Sequence, residues 1–221
     1  MPSAFAARRG KAKWKGIAMG FLAGCLVGGV LPAAAQESSE TAPPPSGFQP
    51  RIVREGTLSL GAQAGYGSFI VSNGFGRDFN TGLDLAVRVR YRTSRDQALG
   101  VSFEAQRYDA KKDPADPFDP KWLQCVTTTV EYYQYFNVRK RAPQYLLAGA
   151  GLLQTHEELN DGETDFPGDG GVITAGGGTE YWWKRVVSID LSLRYYAMIR
   201  NHEHLAHAVQ VAGGFHFYTS K

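Results

Sequence analysis

From Thr57 onward apolar residues recur at every second position, the period of a strand whose two faces meet different surroundings. In Thr81–Arg92, Leu83, Leu85, Val87, Val89 and Tyr91 share one face, and Asp84, Ala86, Arg88, Arg90 and Arg92 share the other. Seven further runs carry strand character: Thr57–Tyr66, Ala98–Tyr108, Trp122–Phe136, Gln144–Thr155, Val172–Trp183, Val186–Ile199 and Ala208–Tyr218. Gln144–Thr155 is the odd one, apolar on both faces and rich in glycine. No run has the 3.6-residue period of an amphipathic helix.

The connections alternate in length. Gly67–Asn80, Asp109–Lys121, His156–Gly171 and Arg200–His207 are long and polar, whereas Thr93–Gln97, Asn137–Pro143 and Lys184-Arg185 are short. Eight antiparallel strands with tight turns at one end and long loops at the other predict an all-β fold, an eight-stranded antiparallel up-and-down transmembrane β-barrel, over residues 56–218. A soluble lipocalin-like ligand-binding barrel has the same period with its apolar face turned inward. The aromatics argue against that inversion. Tyr91, Tyr132–Phe136, Tyr181–Trp183 and Phe215–Tyr218 sit at the short-turn ends of the runs, and Tyr66, Tyr108, Trp122 and Tyr195 at the opposite ends. Two aromatic rims around a Leu/Val/Ala waist form the girdles of a lipid-facing wall.

The segment before the strands reads as an address. Arg8-Arg9-Gly10-Lys11-Ala12-Lys13-Trp14-Lys15 is a cationic region, Ile17–Leu31 an apolar stretch, and Ala33-Ala34-Ala35 a small-x-small cleavage signature. Residues 1–35 are therefore expected to be a signal peptide cut between Ala35 and Gln36. Leu22-Ala23-Gly24-Cys25 offers a rival lipidation site, disfavoured because the apolar run continues past Cys25 to Leu31. Cleavage at Ala35 leaves Cys125 as the one cysteine, without an intramolecular disulfide partner. Residues 36–55, with Pro43-Pro44-Pro45 and few apolar positions, have the composition of a disordered linker. Residues 219–221 form a short C-terminal extension.

Charge removes one function class. The chain has 24 Lys+Arg against 21 Asp+Glu, but five of the bases lie in the first 35 residues, which hold no acid. The remainder is close to neutral and carries no basic field to attract nucleic acid.

Gly56–Tyr218 resembles the small eight-stranded outer-membrane β-barrels of the outer membrane protein A and X type. The resemblance rests on the architecture and on the closing run Val209-Gln210-Val211-Ala212-Gly213-Gly214-Phe215-His216-Phe217. It implies residence in the bacterial outer membrane, with the periplasm as the fallback. The expected partners are outer-membrane lipids, lipopolysaccharide and the outer-membrane assembly machinery, around a monomer that needs no cofactor. One departure is that Thr219-Ser220-Lys221 follow Tyr218, where such barrels end on an aromatic residue.

If the apolar face meets lipid, the other face lines the lumen. It carries Asp84, Arg88, Arg90, Arg92, Glu104, Glu131, Glu180, Asp190 and Arg194, with His216. Eight strands enclose only enough space for side chains, so charges of mixed sign there are expected to pair in a structural network and leave no open channel. Elsewhere the chemistry is thin. His202, His204 and His207 offer metal-ligand spacing, but three histidines in an exposed loop are more often solvated. Glu157–Asp165 has acids at positions 161, 163 and 165 without the glycine and closing glutamate of a calcium loop. Asp113–Pro120 is a stiff Asp-Pro repeat presenting Phe118. A lipid A or phospholipid modifying enzyme of this architecture needs a nucleophile and base together at the outer rim. The His-x-Ser-Asn of the lipid A deacylases has no counterpart at Tyr195–Asn201, and the expected role is structural or surface interaction without catalysis.

Overall fold

The computed structural model describes residues 53–70, 76, 78–111, 120–159, 162, 164–200 and 205–219. The proposed signal segment, its Ala35/Gln36 cleavage point, Cys25, residues 113–119, His202 and His204 lie outside the described residues.

Eight strands run in order: β1 (Leu58–Phe69), β2 (Phe79–Arg92), β3 (Gln97–Ala110), β4 (Pro120–Phe136), β5 (Gln144–Leu159), β6 (Thr164–Lys184), β7 (Val187–Arg200) and β8 (Ala206–Tyr218). Each pairs antiparallel with its neighbours in sequence, and β8 returns to β1, so the sheet is a closed barrel. Closure pairs every interior strand edge, the one way a sheet satisfies its backbone groups in hydrocarbon. The seam runs from Ser59↔Tyr218 to Phe69↔Ala208, and the Thr219 N–H extends it by donating to the Leu58 carbonyl at 2.9 Å.

The short turns are built by local chemistry. Between β2 and β3, Ser94 Oγ donates to Asp96 Oδ1 at 2.8 Å, which holds the Asp96 carboxyl below its ordinary range. Between β4 and β5, Asn137 takes φ 54°, a left-handed conformation asparagine tolerates.

Alternating burial follows the sequence period. Leu60, Leu85, Val87, Phe103, Leu152, Ile173, Leu191 and Val211 face outward and are exposed, while Arg88, Arg90, Glu131, Asp190 and Arg194 are buried inside. The soluble-carrier alternative needs the opposite arrangement.

Three differences from the sequence reading have physical causes. Most of His156–Gly171, read as a loop, is a hairpin extension in which Glu157 pairs with Asp165 and Glu158 with Thr164. Backbone pairing continues there without an apolar face to announce it. Val53, assigned to the linker, is buried against Trp182 and Tyr218 at the short-turn mouth. Finally, Tyr108, Tyr133, Tyr135, Trp182 and Tyr218, assigned to the girdles, are buried and point inward. Alternation decides this: in β4, positions 131, 133 and 135 share a face, and 132 and 136 lie on the exposed one. The outward aromatics at the short-turn end are Tyr91, Tyr132, Phe136, Tyr181, Trp183, Phe215 and Phe217.

Candidate functional site: the barrel lumen

Strand alternation sends one charged or polar residue inward at every second step, and the register sets which of them meet. All nine lumen charges read from the sequence are at most 3% exposed. They fall into two groups at different heights, separated by position along β2.

Nearer the loops, Arg88 and Arg194 meet Glu104 and Glu131. Arg88 Nη2 donates to Glu104 Oε2 at 2.9 Å, and Arg88 Nε donates to Ser102 Oγ at 3.2 Å. Arg194 Nη1 donates to Glu131 Oε1 at 2.5 Å and lies 3.7 Å from Glu104 Oε2. Tyrosine hydroxyls take up further carboxylate lone pairs: Tyr196 donates to Glu104 Oε1 at 2.5 Å, and Tyr133 donates to Glu131 Oε2.

Nearer the short turns, Arg90 and Arg92 meet Glu180 and Asp190. Arg90 Nη1 bridges the two carboxylates, donating to Glu180 Oε1 and, at 3.2 Å, to Asp190 Oδ2. Arg92 Nη2 stands 3.7 Å from Glu180 Oε2 and its guanidinium stacks 3.3 Å over the Tyr135 ring. Tyr145 donates to Asp190 Oδ1 at 2.9 Å, Tyr218 to Glu180 Oε2 at 2.6 Å, and Gln63 Nε2 to Asp190 Oδ1 at 2.7 Å.

Each group holds two arginines and two carboxylates and is formally neutral. Four ions buried at one level cost several kcal/mol each in desolvation, which such reciprocal pairing and hydrogen bonding offset. Asp84 is the fifth carboxylate and the exception. It is fully buried, and among the described residues neither of its oxygens meets a hydrogen-bond donor.

Glu180, Asp190 and His216 bring three ligand-type atoms within 4.8 Å of one another, the spacing of a metal site. Arg90 already lies between the two carboxylates and supplies the positive charge a metal would bring. Of the loop histidines, His207 is described, and its Nδ1 is hydrogen-bonded with the Tyr195 hydroxyl on the outer wall.

Apolar clusters close the lumen at both ends, which the sequence reading missed. Toward the loops, Phe79, Tyr108, Leu123, Cys125, Leu153, Val172 and Met198 pack into one buried cluster. Toward the short turns lie Ala98, Tyr133, Tyr135, Tyr145 and Leu147, with Val53, Trp182 and Tyr218 beside the mouth. The signal was present in β5, whose second apolar face supplies Leu147 and Leu153. A cavity of about 10 Å³ remains between Val53, Arg92, Arg95, Val138, Pro143 and Trp182, space for about one water.

An eight-stranded up-and-down barrel with an apolar wall and a packed, charged interior is the architecture of the small outer-membrane β-barrels. Solved structures bear the fold out. Neisserial surface protein A (NspA) superposes with a TM-score of 0.59 at 18% identity, covering 74% of this chain and 99% of that one. Ail, the attachment invasion locus protein of Yersinia pestis, gives 0.51 at 15% identity, covering 75% of this chain and 99% of that one. No protein-family model matches the chain, and no curated protein sequence matches it significantly.

Proposed function

We propose that the protein is an integral barrel of the bacterial outer membrane, monomeric and non-catalytic, whose filled lumen is a rigid anchor for the connections at its loop end. Its partners on this reading are the outer-membrane lipids and lipopolysaccharide around the wall and, during biogenesis, the outer-membrane assembly machinery. One observation carries it: the wall exposes Leu60, Leu85, Phe103, Leu152, Ile173, Leu191 and Val211 outward while the arginines and carboxylates pair inside. A continuous apolar band of that kind is unfavourable in water and favourable in hydrocarbon, at about 25 cal/mol per Å² of apolar area removed from water.

The two neutral ion-pair groups and the apolar clusters that cap them favour a plug over a pore. Planar bilayers containing the refolded chain test this. Steady ion conductance should be absent, and a stable open channel contradicts the anchoring role. Lipopolysaccharide and phospholipid incubated with the refolded chain should keep their acyl chains, as read by mass spectrometry. A deacylated product lost on His202→Ala or His204→Ala would favour the enzymatic alternative.

A further inference from the structure

The two ends of the barrel differ in how their surface charges are arranged. At the loop end two exposed cations stand beside acids: Arg107 Nε lies 4.0 Å from Asp109, and Lys121 Nζ 3.6 Å from Glu158. At the short-turn end, Arg139, Lys140 and Arg141 follow β4, and Lys184 and Arg185 close β6 onto β7; all five are exposed. Among the described residues, Arg139, Lys140, Lys184 and Arg185 make no ion pair. The exposed carboxylates of this end, Glu55 and Asp96, lie on other connections, before β1 and between β2 and β3.

The backbone gathers these five cations on one arc of the wall. Past Gln144 the chain continues the pairing of β5 with β6, since the Glu180 N–H donates to the Pro143 carbonyl and the Trp182 N–H to the Arg141 carbonyl, each at 2.9 Å. Arg141 is thereby held beside the end of β6, its guanidinium 4.6 Å over the Tyr181 ring. Lys184 Nζ lies 5.2 Å over the Trp183 ring. Tyr181 and Trp183 both point outward from the barrel and are exposed. Two of the cations are thus parked on the outer side of the wall, at the level of its aromatic rim, rather than over the lumen mouth.

We infer that Arg139, Lys140, Arg141, Lys184 and Arg185 form a docking site for the phosphate groups of anionic phospholipids in the periplasmic leaflet, the side on which outer-membrane barrels carry their short turns. The inference rests on the membrane reading above and deepens it. Aromatic side chains at a strand end set the level of the headgroups, and long basic side chains reach from there to phosphate. Each basic residue at an anionic bilayer surface is worth about a fivefold gain in binding, and clustered Lys/Arg next to membrane-embedded segments is the pattern that selects anionic headgroups. A partner at the lumen mouth would call for cations turned toward the barrel axis; here Arg141 and Lys184 cover lipid-facing rings.

The test uses the chain from Gln36 onward carrying Trp122→Phe, so that Trp182 and Trp183 report from the short-turn end. It is refolded into vesicles containing either brominated phosphatidylglycerol or brominated phosphatidylcholine in an otherwise identical neutral bilayer. Phosphatidylglycerol should quench more strongly, with a relative affinity several-fold above that of phosphatidylcholine, and the preference should fall as salt rises. Replacing all five cations by glutamine should abolish it, and Arg107→Gln with Lys121→Gln at the other end should not. If the fivefold variant does not fold, Arg139→Gln with Lys140→Gln, confined to an exposed connection, should lower the preference. Equal quenching by the two lipids in the inserted, unmodified protein overturns the inference, as does a preference that survives glutamine substitution. Binding to isolated cell-wall sacculi without lipid selectivity also overturns it, in favour of a wall partner. A chain that enters neither kind of vesicle overturns the membrane reading, and this inference with it.

Discussion

Gly61 and His216 are partners across the seam where β8 closes onto β1, and a β-carbon on Gly61 would stand 2.2 Å from the His216 ring. The imidazole fills the space that a side chain would occupy, with its Nε2 turned toward Asp190 at 3.8 Å and Gln63 at 3.5 Å. The seam is therefore matched by size, a residue without a side chain against a fully buried ring.

Gly61→Ala is accordingly expected to displace His216 and destabilise the barrel by about 1–3 kcal/mol, the usual cost of overpacking a close-packed interior. Gly213→Ala on the same seam is the control, because its β-carbon meets nothing closer than 3.7 Å. Urea unfolding of the two variants, refolded in the same vesicles, should lower the midpoint for Gly61→Ala and leave it nearly unchanged for Gly213→Ala.

Arg88→Ala should cost far more than Lys121→Ala. Arg88 is buried and paired with Glu104, and its loss leaves a carboxylate short of a partner, a change worth about 3–5 kcal/mol. Lys121, which is 56% exposed and 3.6 Å from Glu158, belongs to a surface pair worth under about 1 kcal/mol. Equal shifts in the unfolding midpoint would count against the lumen network as a source of stability.

Asp84 and Glu104 are both buried carboxylates, yet their amide variants should behave in opposite ways. Glu104 accepts from Arg88, Tyr196 and Gln210, so Glu104→Gln removes charge from a neutral group and lowers stability by several kcal/mol. Asp84 has no such partners among the described residues, and Asp84→Asn replaces a group that is costly to bury as a charge with a neutral one of similar shape. Its unfolding midpoint should be unchanged or higher at neutral pH.

Cys125 is fully buried within the apolar cluster at the loop side of the lumen. In the chain from Gln36 onward a water-soluble thiol reagent should label it only after unfolding, at the rate of global opening. Rapid labelling of the folded barrel would mean that the apolar cap is open.

Strand phase and closure were legible because period-2 alternation needs only the identity of each residue. Thr81–Arg92 and Val186–Ile199 show it with scarcely a break, and β2 and β7 follow them. What was hidden depended on shear and on backbone. Arg90 reaches from β2 to Glu180 on β6, and no local pattern records which residues a barrel's tilt brings to one level. The extension of β5 and β6 beyond Thr155 is carried by main-chain pairing of Glu157 with Asp165 and of Glu158 with Thr164, polar residues that present no alternating apolar face. Tyr133, Tyr135 and Tyr218 were misplaced at the rim although their positions in the alternation place them inside. Their hydroxyls then prove to be hydrogen-bonding members of the charged network.

The most direct measurement is an alkaline carbonate wash of isolated envelopes, followed by gel mobility of the pelleted protein with and without boiling. Carbonate strips peripheral proteins and leaves membrane-integral ones, and a closed barrel held by eight paired strands stays compact in detergent until heated. The chain should remain in the membrane pellet and shift its mobility on boiling. Release of most of it into the supernatant, with identical mobility before and after heating, would contradict an integral, lipid-facing barrel.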